Sequence, residues 1–318
     1  MSNFIQLVKN EQMKTYSQVA TWVMYIVLAV FIIGFGVFMK IDQSITDDNQ
    51  ATGDDWKQEL QAENEQLQKQ MEEQEFASPF NEQTMAMNEY RIENDIKPGG
   101  YDVWNFVQDN RANISIISLL TIIVAAGTVA NEFKWGSIKL LLIRPISRTK
   151  ILASKYVSVL IFAVSMLLFL YVLSFLIGSV LFGFESLTEP FLYWQGEEIQ
   201  QSPIFQLTLS QYVLSSVNLL MMATFAFMVS AIFRNSSLAI GVAIFLMMSG
   251  NAIVAFFSGK EWAKLILFAN TNLNQFFTGT PVISDLTLGF SVTVLIAYLI
   301  LFLGLSWFFF SKRDITNA

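Results

Sequence analysis

The chain has 318 residues, of which 53% are hydrophobic and only 14% charged, against about 25% charged in an ordinary soluble domain. That balance belongs to an integral membrane protein, and the absence of Cys and His excludes disulfide staples, zinc sites and Cys or His nucleophile chemistry. The net charge of −7 does not suit a nucleic-acid binder, because the basic residues gather at the edges of apolar runs.

Residues 1–41 open with an amphipathic lead-in carrying Phe4, Ile5, Leu7, Lys9 and Lys14, followed by a first span over Val19–Met39. That run is close to the roughly 20 residues a bilayer requires. It is too long for a signal h-region, and no small-residue cleavage site precedes Lys40. Trp22 and Tyr25 suit its inner interface, and Gly34 and Gly36 suit close helix packing. Residues 42–111 are a different material, holding 17 of the 26 acidic residues and five bases. From Trp56 to Gln74 the segment is rich in Gln and Glu and favours helix. Leu60, Asn64, Leu67 and Met71 fit heptad positions over two heptads, short of the three or four that argue for a coiled coil. A solvated helical hairpin or a partly ordered flap is the expectation. Its acidic field either gathers cationic amphiphiles as an external cap or simply keeps a spacer solvated. Pro98-Gly99-Gly100 then marks a turn, and Tyr101 to Val107 read as an interfacial helix leading into the second span.

The remainder, 112–318, carries five more apolar runs. Span two, 113–131, places Ser118, Thr121, Ala125, Thr128 and Glu132 on one helix face. Ordinary packing accounts for such a face, and a pore-lining role is the alternative. Span three covers 156–182, and the acidic loop 183–206 after it has no basic residue. Span four, 211–233, bears Gln211, Ser215 and Asn218 as a stripe; an amide facing lipid would go unsatisfied, so the stripe should face the bundle or an aqueous path. Arg234-Asn235-Ser236-Ser237 makes a tight turn, and span five, 238–257, contains Ser249-Gly250-Asn251. Residues 258–286 are semi-polar and aromatic and read as interfacial or re-entrant helices, before span six at 286–310. Thr121, Thr128, Gln211, Ser215, Asn218 and Asn251 are the candidate translocation path.

Between spans two and three, the loop 132–155 holds six of the 19 basic residues and one acid. By the positive-inside rule it is cytoplasmic, which puts both termini inside and the acidic insertion 42–111 outside. Phe133, Ile138, Leu141 and Leu142 can share one face of a helix, with lysines on the other. Pro145 is a stop, since the residue before a proline is pushed out of helical geometry. Such a basic amphipathic helix is either a lipid-lying anchor or a docking element for a cytoplasmic partner.

The run Glu132-Phe133-x-x-Gly136-Ser137-Ile138-Lys139-x-Leu141-Leu142-x-Arg144-Pro145-Ile146-Ser147-Arg148 resembles the signature between the second and third spans of ABC-2 type exporter permeases, of the bacitracin-export and sodium-export kind. The ending Phe310-Ser311-Lys312-Arg313-Asp314-Ile315 is similar to that family's usual C-terminus. The resemblance covers the six-span body and not 42–111. It implies a coupling helix that meets two copies of a separate ATP-binding subunit, a second permease chain (identical or related), and re-entrant helices between the last two spans. Glu132, Phe133, Trp135, Gly136, Lys139, Arg144, Pro145 and Arg148 are then the ATPase-coupling residues. ATP and Mg would be bound by the partner, none by this chain.

The residues agree with borrowed energy. No GxxxxGK[ST] loop occurs, and the apolar windows hold no Asp, Glu, Lys or Arg that would serve an ion-coupled pump. The expectation is thus an all-α polytopic protein of the bacterial cell membrane, not itself an enzyme, exporting a substrate that stays open among antimicrobial peptides, drugs, lipids and ions. A membrane sensor or scaffold using the insertion is the main alternative. A channel is a weaker one, lacking charged rings.

Overall fold

The computed structural model describes residues 2–46, 55–73, 79–137, 146–184, 190–195, 198–278, 281–283 and 286–312. Among them six helical segments are long and apolar enough to cross a membrane: Val19–Gln43, Val103–Lys134, Arg148–Leu181, Ile204–Phe233, Ser236–Phe257 and Leu288–Lys312. Three begin well before the apolar windows at 113–131, 156–182 and 211–233. Hydropathy marks where a helix meets lipid, whereas polar helix formers such as Arg148-Thr149-Lys150 extend the hydrogen-bond ladder beyond it. In chain order the helices are α1 (Ser2–Tyr16), α2 (Val19–Thr46), α3 (Trp56–Glu73), α4 (Pro79–Asn94), α5 (Val103–Asn110), α6 (Ile114–Lys134) and α7 (Arg148–Leu181). Strands β1 (Pro190–Gln195) and β2 (Glu198–Pro203) follow, then α8 (Ile204–Phe233), α9 (Ser236–Phe257), α10 (Leu267–Thr271), α11 (Gln275–Thr278) and α12 (Leu288–Lys312).

The chain divides into two compact units. One comprises Ile33–Gln108 and Ser174–Thr208. Here the acidic segment forms an antiparallel hairpin of α3 and α4, held by Lys57–Asp95 at its open end and by Asn88, whose Nδ2 donates to Asn64 Oδ1 (2.9 Å) and Glu63 Oε2 (3.0 Å). Leu60 is buried, and Asn64, Leu67 and Met71 are half-buried while their α3 neighbours are exposed. The heptad-like stripe is therefore the hairpin's inner face, and the Asn64–Asn88 pair fixes its register as a buried polar pair does in a coiled coil. Asp102 caps α5, its Oδ1 accepting from the backbone N–H groups of Trp104 (2.9 Å) and Asn105 (3.0 Å). Burial raises the Asp102 carboxyl above the usual range in spite of those bonds. Phe106 stacks on Phe35 with ring centroids 5.8 Å apart. A Cβ on Gly36 would come 3.2 Å from that ring and 3.0 Å from Leu181, whereas one on Gly34 would meet nothing. Close packing thus uses one glycine of the pair.

The loop 183–206 contains a structure its acids and prolines did not announce. β1 and β2 pair antiparallel from Pro190↔Pro203 to Gln195↔Glu198. The aromatic run Phe191-Leu192-Tyr193-Trp194 supplies the β-propensity. Both prolines sit at the ladder's open end, where a missing donor costs least.

The other unit comprises Met1–Ile32, Asp109–Leu173 and Leu209–Ala318. Ile122, Ala125 and Val129 of α6 pack with Val159 of α7, Ala223, Ala226 and Phe227 of α8, Ala243 of α9 and Phe310 of α12. Alanines at these contacts let helix backbones approach, which is how spans associate without a hydrophobic driving force. Ser230 of α8 enters the ladder of α6, donating to the Ala126 carbonyl (2.5 Å) and accepting from Ala130 N–H (3.1 Å). The expected short helices of 258–286 are present as a 3₁₀ segment (Glu261–Leu265), α10 and α11. Asn270 Nδ2 donates to the Lys264 and Ile266 carbonyls and Gln275 Nε2 to that of Ala269, each at 2.9 Å. Side-chain amides thereby satisfy broken backbone that lipid would leave orphaned.

The glycine contrast is testable. Gly36→Leu should lower stability by about 1–3 kcal/mol through overpacking, while Gly34→Leu should be near neutral; thermal midpoints of the purified variants in detergent measure both.

Candidate functional site

The motif-bearing end of α6 is built around a closed ring of four charges. Glu132 Oε1 accepts from Lys14 Nζ (2.7 Å) and Lys155 Nζ (3.0 Å). Lys14 Nζ also donates to Glu11 Oε1 (3.1 Å), and Lys155 Nζ to Glu11 Oε2 (3.0 Å). Ser137 donates its hydroxyl to Glu132 Oε2. Side-chain exposure falls from 48% at Lys14 to 12% at Glu11, 10% at Glu132 and 1% at Lys155. Two lysines and two carboxylates leave the ring neutral, so each buried charge has two opposite partners. At Lys14 burial lowers the pKa, but the two carboxylates outweigh it and the ammonium ends above its ordinary value. Its contribution to stability is therefore fully present throughout the physiological range and is lost only as pH rises through that elevated pKa.

The same contacts strap α1 along α7. Gln12 Nε2 donates to the backbone carbonyl (2.9 Å) and hydroxyl (3.1 Å) of Ser158, and the Tyr16 hydroxyl meets Ser165 Oγ at 2.6 Å. Residues 155, 158 and 165 recur at helical spacing on one face of α7. The lead-in, read from sequence as an amphipathic segment, is a docked helix. Lys155 also changes one sequence expectation: counted as a loop cation, it lies inside the third helical segment and is fully buried there.

The expected coupling residues separate into four groups. Lys139, Arg144 and Pro145, with Ile138, Leu141 and Leu142, lie outside the described residues. Glu132 and Phe133 are turned into the bundle. The Phe133 ring takes the Arg234 guanidinium over its face at 4.3 Å and meets Phe310 edge-on at 6.4 Å, so it braces the helix end and is not an exposed aromatic. Arg234 holds φ +55 in the two-residue turn between α8 and α9, a left-handed conformation costing roughly 1–2 kcal/mol, which the cation–π contact helps offset. Asn235 caps α9 by accepting from Leu238 N–H at 3.1 Å. Trp135 is exposed, and Gly136 has φ +70 with open space around its Cα. Gly136 thus sets backbone direction: it turns the chain after α6 where an L side chain would be strained. Arg148 donates to the Ser311 carbonyl (2.8 Å), and beside it Trp307 Nε1 donates to Thr149 Oγ1 (3.0 Å). These bonds join the start of α7 to the end of α12.

Of the candidate path residues, Ser215, Asn218 and Asn251 line one cavity together with Arg111 and Ser118. Gln211 accepts from Arg111 Nη1. Thr121 and Thr128 do not line it; Thr121 is buried, and Thr128 bonds back to the Val124 carbonyl at 2.6 Å. Glu11, Lys14 and Arg111 were missed from sequence. Glu11 and Lys14 sit among Asn10, Gln12 and Thr15, and Arg111 among Asp109, Asn110 and Asn113, so no local sequence signal sets them apart.

The model of a family described as a protein of unknown function, DUF2705, matches residues 76–316. The chain belongs to this DUF2705 family. It is 45% identical over 319 residues to an uncharacterized protein, YhcI, of Bacillus subtilis strain 168, covering 98% of this chain and 100% of that one. It is 31% identical over 203 residues to an uncharacterized membrane protein, YdbK, of the same organism, covering 63% of this chain and 78% of that one. With its six apolar helices, this family member is a multi-pass membrane protein. The family match includes Glu132 and Lys155 but starts after Glu11 and Lys14.

The ring makes a double-mutant prediction. Lys155→Met should destabilise by about 3–5 kcal/mol, since it leaves two carboxylates with one lysine. Adding Glu132→Gln restores neutrality and should recover a large part of the loss. Unfolding midpoints of the wild type, both singles and the double measure the coupling.

Proposed function

We propose that the chain is the permease subunit of an ATP-driven exporter of the ABC-2 type, working with a second permease chain and two copies of a cytoplasmic ATP-binding subunit. The observation that carries this reading is the construction around Glu132, the first residue of the motif. That residue is bonded to α1 and α7 through a buried charge ring, while Phe133 beside it touches the α8–α9 turn and the end of α12. A push on the segment 138–145 would be delivered to the ends of α1, α7, α8, α9 and α12 through contacts that resist sliding. A lipid-lying anchor has no need of such bracing. The chain carries no phosphate-cradling loop of its own, so the push must come from a separate nucleotide-binding partner. Exposed Trp135, together with Lys139 and Arg144, is the surface assigned to that partner.

Orientation is checked first. The chain has no native Cys, so Gln70→Cys and Gln200→Cys should react with a membrane-impermeant maleimide in intact cells, and Ser147→Cys and Ser236→Cys only after permeabilisation. Reaction of Ser147→Cys in intact cells removes the docking surface from the cytoplasm and the reading with it. The decisive experiment is affinity purification of the full chain from its native membrane, followed by identification of a co-purifying ATPase with Walker motifs. Lys139→Glu combined with Arg144→Glu should lower recovery of that ATPase by about tenfold or more, as for a desolvated charge pair, while membrane insertion stays normal. Purification without any ATPase would favour a sensor or scaffold instead.

A further inference from the structure

At the other end of α6 from Glu132, about 27 Å away at 1.5 Å per residue, lies a cavity of about 250 Å³. Its polar wall includes Arg111, Ser215, Asn218 and Asn251, and its apolar wall Ile114, Met247 and Phe268. No carboxylate lines it among the described residues. The ion pairs among those residues do not include Arg111. The carboxylate whose field reaches that guanidinium is Asp109, which is exposed and outside the lining. Gln211 accepts one Arg111 N–H and so fixes the fork without neutralising it. Ser215 Oγ accepts from Asn274 Nδ2 at 2.8 Å, which orients the hydroxyl proton away from that bond. Asn218 Oδ1 is buried with no hydrogen-bond partner among the described residues, a cost that a ligand donor would remove.

These groups ask for one kind of ligand. A half-buried arginine beside a serine hydroxyl suits the oxygens of a phosphate, which match the guanidinium fork. An orphaned amide oxygen asks for a hydroxyl donor on the same molecule. The volume is somewhat below the roughly 300–1,000 Å³ of pockets for drug-sized ligands, so it fits a headgroup and not a whole amphiphile. The wall of Ile114, Met247 and Phe268 offers a path for an attached chain. Gly250 fixes that wall, since a Cβ there would lie 2.3 Å from Phe268 Cγ. We propose that this cavity binds an anionic phosphate headgroup bearing free hydroxyls, with the phosphate against Arg111 and Ser215 and a hydroxyl donating to Asn218 Oδ1. The site is independent of the export reading, because it needs no ATPase to fill.

The test is made on the full chain purified alone in a neutral detergent. Its thermal midpoint is followed during titration with phosphatidylglycerol, phosphatidylcholine, oleate and free sn-glycerol 1-phosphate. Phosphatidylglycerol or free glycerol phosphate should stabilise saturably and at least about tenfold more tightly than phosphatidylcholine or oleate. If the lipid alone binds, the headgroup comes from the membrane; if the free phosphate also binds, a soluble source is equally served. Arg111→Gln and Asn218→Leu should each weaken the effect about tenfold, as for a lost bond to a charged or buried group, and Arg111→Lys should weaken it less. Should Arg111→Gln fail to purify, Asn251→Leu, at an exposed wall position, replaces it and should weaken binding too. Equal affinity for phosphatidylcholine or oleate, or unchanged affinity in the folded wall variants, overturns the proposal. Loss of ATPase co-purification with phosphatidylglycerol binding intact would fail the export reading and leave this one standing.

Discussion

A lysine ammonium with almost no solvent contact dictates much of what surrounds it. Lys155 is 1% exposed, and an unpaired charge so placed would neutralise or unfold its surroundings. Glu132 must therefore stay at the end of α6, and Glu11 must stay on α1. Once Glu11 is there, the adjacent Gln12 and the later Tyr16 fall against Ser158 and Ser165 of α7. One buried cation thus turns a lead-in that length alone would leave marginal into a docked helix.

The two ends of α6 obey opposite rules. At the Glu132 end the two lysines and two carboxylates of the ring match one another, so the ring as a whole is neutral. At the Arg111 end a cation faces amides and hydroxyls, and no carboxylate lines the cavity among the described residues. Rigid, self-satisfied contacts suit a part that bears load, whereas an unbalanced polar wall suits a part that meets something from outside. The same helix carries both, with alanines between them letting its neighbours pack close.

The six spans were legible because a bilayer imposes a length and a composition that no other constraint mimics. The acidic hairpin was partly legible, since Leu60, Asn64, Leu67 and Met71 mark a face, but not whether that face pairs within the chain. Of the coupling motif, the place of Glu132 on one face of span two could be read. Its partners could not, because Glu11 and Lys14 lie more than a hundred residues upstream and only folding unites them. Gly136 was legible only as a motif position, and its positive φ is a backbone requirement that sequence spacing does not encode. The β-hairpin at 190–203 was hidden by Pro190 and Pro203, which usually argue against strands and here sit where a ladder tolerates them. In the stripe Gln211, Ser215 and Asn218 the period revealed an inward face, and Arg111 was hidden from that stripe by a hundred residues of chain.

The order of charges along the chain bears on biogenesis. A lysine at the edge of a span costs less to hand to a bilayer than one at the helix centre, where the figure is about 2.5–3.5 kcal/mol, and Lys155 immediately precedes the apolar run 156–182. Both carboxylates that receive Lys155 precede it in the chain. By the time α7 leaves the ribosome, α1 and α6 have already been synthesised with their acceptors in place. The third span can enter with counter-charges already made for the lysine at its edge, whereas a chain reordered to make α7 first would leave that ammonium to headgroups and water until its acceptors arrived.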